Sequence, residues 1–430
     1  MELTIHRGSK EIGGSCVEVS AGGTRLILDA GMPLVTPERE PFDAKAIRGK
    51  STAALIAEKV IPDVPGLFLD GDSPDAILLT HSHLDHSGLL HLTKPEIPIY
   101  ATTGTSKMMN AAGVFGGQKS LERVRHRKVV SGVPFQLVSF TVTPFAVDHS
   151  CFGSVAYLLE ADGKTILYSG DLRMHGRKPG MIRSLVEAVA FRNLDALVME
   201  GTHVGAGRER GMTEYDLEKV IHGHITSTQK LVLGSFSPID VDRVVTYYKA
   251  TRRAGRTFVA DAYTGYILHL VASETGLPRP TPKAGIRVFF NKASETASRE
   301  KATVSFRDAA ITLDEIRADP SRYTMVFRPS MLDLDFSGEL PEGSRCIYSY
   351  WKGYLDKPDW KELQEKLAVV GGDFVPAHAS GHIYEDDLVD LVKRINPKRV
   401  IPIHTFEPQG FEKHFPNATP LRDGERSPIE

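Results

Sequence analysis

His81-Ser82-His83-Leu84-Asp85-His86 stands directly behind the apolar run Ala76-Ile77-Leu78-Leu79-Thr80 and gathers three imidazoles and a carboxylate into six positions. Imidazole nitrogen and carboxylate oxygen are the donors of a catalytic zinc or similar ion that keeps a position open for water, so these residue types point to hydrolysis. Side chains at i and i+2 diverge on a helix but converge from a loop leaving a strand end, and the branched apolar run supplies that strand. The cluster is therefore expected on a strand-to-helix loop. A solvated polar turn with chance histidines would account for one pair, not for four ligands so close together.

Two ions need more than four ligands, and the same arrangement recurs along the chain. Asp148-His149-Ser150 follows the alternating stretch Phe140-Thr141-Val142-Thr143-Pro144-Phe145-Ala146-Val147, and Ser169-Gly170-Asp171 follows Thr165-Ile166-Leu167-Tyr168. Near the end, Arg399-Val400-Ile401-Pro402-Ile403 runs into His404-Thr405. Any one of these reads as a structural His or Asp. Strand-end ligands recurring on one side of a fold read as a site.

The His-x-His-x-Asp-His run at 81–86 resembles the first signature of the metallo-β-lactamase superfamily. Asp29 in Leu28-Asp29-Ala30-Gly31 resembles its early aspartate, His149 its third histidine motif, and Asp171 the carboxylate that bridges two metals. By that resemblance His81, His83, His149 and Asp171 hold one ion, and Asp85, His86, Asp171 and His404 the second. The implied fold is α/β, a metallo-β-lactamase αββα sandwich. Two hairpin patterns agree with it, around Ala21-Gly22-Gly23 and around Ala161-Asp162-Gly163.

Downstream, Ala196-Leu197-Val198-Met199 ends in Glu200-Gly201-Thr202-His203, and Pro376-Ala377-His378-Ala379-Ser380-Gly381-His382 precedes a helix-like Glu385-Asp386-Asp387-Leu388. These look like the accessory motifs of the β-CASP subgroup, closest to the ribonuclease J-like enzymes, with the acidic residue at Glu200 and later histidines at His382 and His404. The group carries a second α/β domain inserted into the sandwich. The expected division is residues 1–205 for the first part of the metallo-β-lactamase domain, 206–370 for the insert and 371–430 for the return. Thr213-Glu214-Tyr215-Asp216 resembles a capping box, a helix is expected over 240–253, and strands are expected at 231–233, 257–260, 286–290, 324–327 and 345–349. Strands alternating with helices predict a largely parallel sheet.

The 430 residues are 41% hydrophobic and 25% charged, a length for two to three domains. No apolar stretch spans a bilayer, and Met1-Glu2-Leu3-Thr4-Ile5-His6 begins a strand rather than a signal sequence, so no membrane partner and a cytoplasmic location are expected. Cys16, Cys151 and Cys346 are far apart, which excludes a disulfide framework and a thiolate zinc site. With 52 basic against 54 acidic residues, phosphate binding must be local. The candidate patches are 123–128, Arg208-Glu209-Arg210 and 252–256. Gly234-Ser235-Phe236-Ser237-Pro238-Ile239-Asp240-Val241-Asp242-Arg243 has the form of a helix N-terminus that takes a phosphate, but for its two acids. Tyr348, Tyr350, Trp351 and Tyr354 are candidates for base stacking or for core packing. The loop at 36–50 has no derivable role.

What the resemblance implies is a hydrolase with two divalent ions, zinc or else manganese, cleaving phosphodiester bonds of nucleic acid, single-stranded RNA first. Asp85 or Asp171 orients or deprotonates the attacking water. His382 gives the leaving oxygen its proton, with Glu200 holding the ring and raising its pKa. Asp29 steadies a ligand histidine. His378 and Ser380 are candidate phosphate contacts. The competing functions are a single-stranded DNA nuclease, a small-molecule thioesterase or lactonase, and an inactive scaffold subunit, against which the intact ligands argue. The chain ends at Glu430 without room for the C-terminal domain usual in ribonuclease J. A homodimer is compatible with the sequence, but no residue specifies one.

Overall fold

The computed structural model describes every residue except Pro37, Arg208 and Glu209. Both expected hairpins form with two-residue turns. Cys16–Ala21 pairs with Thr24–Leu28 across Gly22 and Gly23 (φ 55° and 79°), and Val155–Ala161 with Lys164–Tyr168 across Asp162 and Gly163 (φ 52° and 69°). Two consecutive positive φ values match the twist of the flanking strands, so these sequences set the register.

The first hairpin belongs to a seven-stranded sheet. Glu2–Arg7 and Arg426–Pro428 join it on one side, and Ala76–Leu78, Ile99–Thr102 and His126–Val129 run parallel on the other. The second hairpin lies in a six-stranded sheet that continues in parallel through Ala196–Glu200 to Val400–Ile403. The sheets face each other across a core that includes Leu3, Val17, Leu78, Phe140, Tyr157 and Val198. Each such burial contributes roughly 1.5–3 kcal/mol. The outer faces are covered by helices, among them Thr103–Phe115 on the first sheet and Pro179–Val189 and Glu385–Ile395 on the second. Glu385–Ile395 buries Leu388, Leu391, Val392 and Ile395 at helical spacing, with acids in its first turn and Lys393 and Arg394 in its last. This is the expected αββα sandwich.

The insert is a six-stranded, wholly parallel sheet: Val232–Ser235, Thr257–Asp261, Ile286–Phe289, Tyr323–Val326, Arg345–Tyr348 and Asp373–Pro376. The first five match the runs read from sequence. The sixth does not: it pairs with Arg345–Tyr348 and carries the insert's sheet past residue 370 to Pro376. It is a half-exposed edge strand with no apolar run, and a tertiary partner rather than a pattern makes it a strand. The chain then crosses back through 377–384.

The structure redraws three other expectations. Ala76–Leu78 is only three residues long, and Asp85 and His86 lie inside the one-turn helix Leu84–Ser87 rather than on an open loop. Asp240 caps the helix Val241–Arg253 by accepting from the Arg243 backbone N–H, so that helix start is already filled by a carboxylate and is no phosphate site. Cys16, Cys151 and Cys346 are free and buried. Among the described residues no helix is long and apolar enough to cross a membrane.

Candidate metal centre and active site

Strand ends of both sandwich sheets deliver the centre. His81, His83, Asp85 and His86 follow Ala76–Leu78; His149 follows Phe140–Ala146, Asp171 follows Lys164–Tyr168, Glu200 closes Ala196–Glu200, and His404 follows Val400–Ile403. Close backbone approach holds the entry loop in place. Ser15 N donates to Asp85 O, Ala30 N to His86 O and Met32 N to Leu84 O. A Cβ on Gly31 would stand 1.7 Å from the Asp85 carbonyl oxygen, so only glycine fits there. Asp29 and His404 both sit at positive φ, 62° and 55°, conformations held by the surrounding packing.

Potential ligand atoms converge in overlapping groups: His81, His83 and His149; Asp85, His86, Asp171 and His404; and Asp171, Glu200, His382 and His404. Asp171 Oδ2 lies 3.2 Å from His86 Nε2, 3.7 Å from His149 Nε2 and 3.8 Å from both His81 Nε2 and His404 Nε2. Yet both Asp171 oxygens and His86 Nε2 are buried without a hydrogen-bond partner among the described residues. Unpaired buried polar atoms cost of order 1–3 kcal/mol each, so such a constellation persists for another purpose. Bonds of about 2.1 Å to a tetrahedral ion would set neighbouring ligand atoms about 3.4 Å apart, the spacing seen here. The donors fit divalent ions.

The far nitrogens of the rings show how the lone pairs are aimed. His86 Nδ1 donates to Asp29 at 2.7 Å and His149 Nδ1 to the Gly381 carbonyl at 2.6 Å. Thr80 Oγ1 donates to Asp29, which leaves it to accept from His81 Nδ1 at 3.0 Å. Thr202 Oγ1 donates to Glu200 at 2.7 Å and so accepts from His404 Nδ1 at 3.0 Å. Each outer nitrogen is committed, so Nε2 of all four rings faces inward, those of His81 and His149 toward His83, that of His86 toward Asp171 and that of His404 toward Asp85. Asp29 does not itself reach the centre. It collects His86, Thr80 and the Tyr168 hydroxyl, and acts by orienting rings.

Charge follows from burial and neighbours. Burial holds His81, His83 and His149 below the ordinary imidazole range, as ligands require. Burial opposes a charge on His86 too, but Asp171 and Asp29 outweigh it and push the ring well above that range. Burial raises the Asp171 carboxyl, and His404, His86 and His382 more than reverse this. His382 stands at the mouth, its side chain 22% exposed, with Nδ1 3.2 Å from Glu200 Oε2 and 3.7 Å from Asp171 Oδ2. Burial disfavours its charge, yet Glu200 and Asp171 lift it to about 9. At neutral pH the ring is held charged beside the ligand cluster.

His378 and Ser380 are placed differently. His378 Nδ1 donates to the Ser349 carbonyl at 3.0 Å, and burial followed by the Arg243 guanidinium lowers the ring to about 3, so it is neutral. The Ser380 hydroxyl is bonded to His203 Nε2 at 2.8 Å and accepts from the His382 backbone N–H at 3.1 Å. Neither presents a charge or a free hydroxyl to a phosphate.

One arginine in each of two basic stretches is structural, while Arg123, Arg127, Lys128, Arg252 and Arg253 are exposed. Arg125 is buried on the carbonyls of Ile97 and Leu90, and Arg256 on those of Lys230 and Tyr323. Arg208 and Glu209 of the third lie outside the described residues, and Arg210 pairs with Asp387 at 3.1 Å. The aromatic group splits: Tyr348 is core, whereas Trp351 and Tyr354 are exposed. Sequence reading passed over Thr80, Thr202 and Tyr168, since a hydroxyl beside a motif carries no signal until its partner ring is placed. It also passed over Arg173 and Arg243.

A β-lactamase superfamily domain model matches residues 53–234. An RNase J-like protein of Methanocaldococcus jannaschii is 24% identical over 94% of this chain and 92% of its own length. A ribonuclease J of Sinorhizobium meliloti is 22% identical over 85% of this chain, which spans 65% of that relative. Among solved structures, a protein of unknown function from Enterococcus faecalis V583 superposes with a TM-score of 0.82 at 22% identity, covering 99% of both chains, and so shares the fold.

Proposed function

We propose that this chain, a member of the metallo-β-lactamase superfamily and of its ribonuclease J-like β-CASP branch, is a two-metal hydrolase of phosphodiester bonds acting on single-stranded RNA. The observation that carries this reading is His382, a ring held protonated by Glu200 and Asp171 at the mouth of a cluster in which burial keeps His81, His83 and His149 neutral. A thioester has a thiolate leaving group that needs little protonation, whereas a ribose oxygen leaves poorly without a proton.

In this reading one ion is held by His81, His83, His149 and Asp171, and the second by Asp85, His86, Asp171 and His404. Zinc suits the imidazole-rich donor set, with manganese the other candidate. Bound there, the ions supply Lewis-acid neutralisation of the phosphoryl oxygens and an acidified water. Asp85 or Asp171 would orient the attacking water or take its proton. His382 delivers a proton to the departing oxygen, and Glu200, fixed by the Leu172 backbone N–H and Thr202, keeps the ring charged and aimed. Asp29 keeps His86 in the ligand tautomer. Phosphate contacts by His378 and Ser380 are not part of this mechanism, because both groups are bonded elsewhere. Trp351 and Tyr354, exposed on the insert, would be the base-stacking residues. A cytoplasmic location belongs to the same proposal.

End-labelled single-stranded RNA and DNA, digested by zinc- or manganese-loaded protein beside a His83→Ala control, test the reading. Cleavage of RNA that vanishes in the control supports it, and cleavage of DNA alone makes the chain a DNA nuclease. The burial of Arg125 and Arg256 removes two candidate nucleic-acid contacts and favours the small-molecule hydrolase as the second reading. Silence on both polymers with metal bound would establish that alternative.

A further inference from the structure

Arg173 and Arg243 are wholly buried guanidiniums, 0% and 1% exposed, where the sandwich meets the insert. Arg173 follows Asp171 by two residues. Its Nε donates to Asp148, the neighbour of His149, at 2.9 Å, and its other nitrogens reach Glu214 at 3.3 Å and Asp242 at 3.2 Å, both in the insert. Arg243, from the insert helix Val241–Arg253, donates to Glu214 at 2.8 Å. Burying two cations with several carboxylates earns little net stability, so the network calls for another purpose.

Both arginines also reach the return loop. Arg243 Nη2 donates to the Ala379 carbonyl at 2.9 Å, and Arg173 Nη1 to the Ser380 carbonyl at 3.3 Å, where His175 Nε2 adds a bond of 2.8 Å. The next carbonyl, that of Gly381, accepts from His149 Nδ1 at 2.6 Å. A Cβ on Gly381 would meet Ser150 Oγ at 2.2 Å, so the loop lies directly against the segment that carries His149. Three successive carbonyls are thus gripped from both domains, immediately before His382.

We propose that Arg173 and Arg243 are positioning residues that fix the loop Ala379–His382 to both domains and so set His382 beside Asp171 and Glu200. Docking of the insert and placement of the proton donor are then one structural event. The rigid guanidinium fork is what the geometry uses, because each arginine must bond a carboxylate and a loop carbonyl together. The proposal rests on the reading of His382 as general acid.

The test compares a short single-stranded RNA with bis(p-nitrophenyl) phosphate, whose nitrophenolate departs without a proton. His382→Ala is the reference: it should slow RNA hydrolysis and spare the nitrophenyl ester. Arg243→Lys and Arg173→Lys, with metal content checked, should lower kcat on RNA about 10–100-fold, the cost of a misplaced group, with KM and the nitrophenyl rate nearly unchanged. In the double variant with His382→Ala the arginine substitution should add nothing further. Should a lysine variant fail to fold or load metal, Glu214→Gln, which keeps the volume and loosens both arginines, should show the same selective loss. Equal losses on the two substrates, or none, overturn the positioning role. If His382→Ala itself slows both esters alike, the acid assignment falls and this proposal with it.

Discussion

Two short stretches carry histidines at the exit of a strand and meet opposite fates. In 81–86, burial strips the protons from His81 and His83 and their ring nitrogens converge on the centre. In 378–382, His378 turns to the insert, where burial and Arg243 keep it neutral, while His382, four residues on, is held charged by Glu200 and Asp171. Residue type and spacing read alike in the two stretches. Burial lowers His81, His83 and His378, with a cation adding to it at His378, whereas at His382 two carboxylates outweigh burial.

Substitutions that erase or exaggerate that contrast are ordered by expected effect. His83→Ala should abolish turnover together with loading of the ion shared with His81 and His149, measured by metal analysis and RNA digestion. His382→Ala should keep both ions while slowing turnover roughly 10²–10⁴-fold, the worth of a general acid; loss of metal in this variant would make His382 a ligand instead and erase the contrast. Glu200→Gln acts on ionisation. Since the donor must be protonated, the rate falls as pH rises through its pKa, and removing the carboxylate that lifts it should move the alkaline limb down by ~1–3 units. Asp29→Asn, which breaks the orienting bond to His86, should weaken metal binding about 10–100-fold by competition with a chelator. The smallest effect belongs to His378→Ala: metal content and kcat near the parent, and about 1 kcal/mol lost in urea unfolding for the bond to Ser349.

The double hairpin, the convergence of the strand-end donors and five of the insert's strands were legible because each rests on local chemistry: turn glycines, alternating or continuous apolar runs, donor side chains packed into a few positions. Asp373–Pro376 was not, being a strand only because Arg345–Tyr348 lies beside it. Asp240 and Asp242 looked like defects in a phosphate-binding helix start, and proved to be a cap and an ion-pair partner. Thr202 and Arg243 were silent, for their partners lie about 180 and 136 residues away in the chain.

The sequence by itself determined the donor inventory and the sandwich that presents it, because ligand identity and strand pattern are properties of neighbours along the chain. Tertiary structure alone decided which histidine is held protonated, which carboxylate stands amid the imidazoles and which arginine grips the loop. Those outcomes depend on burial and on the distance between charges, and both are set only when remote segments pack together.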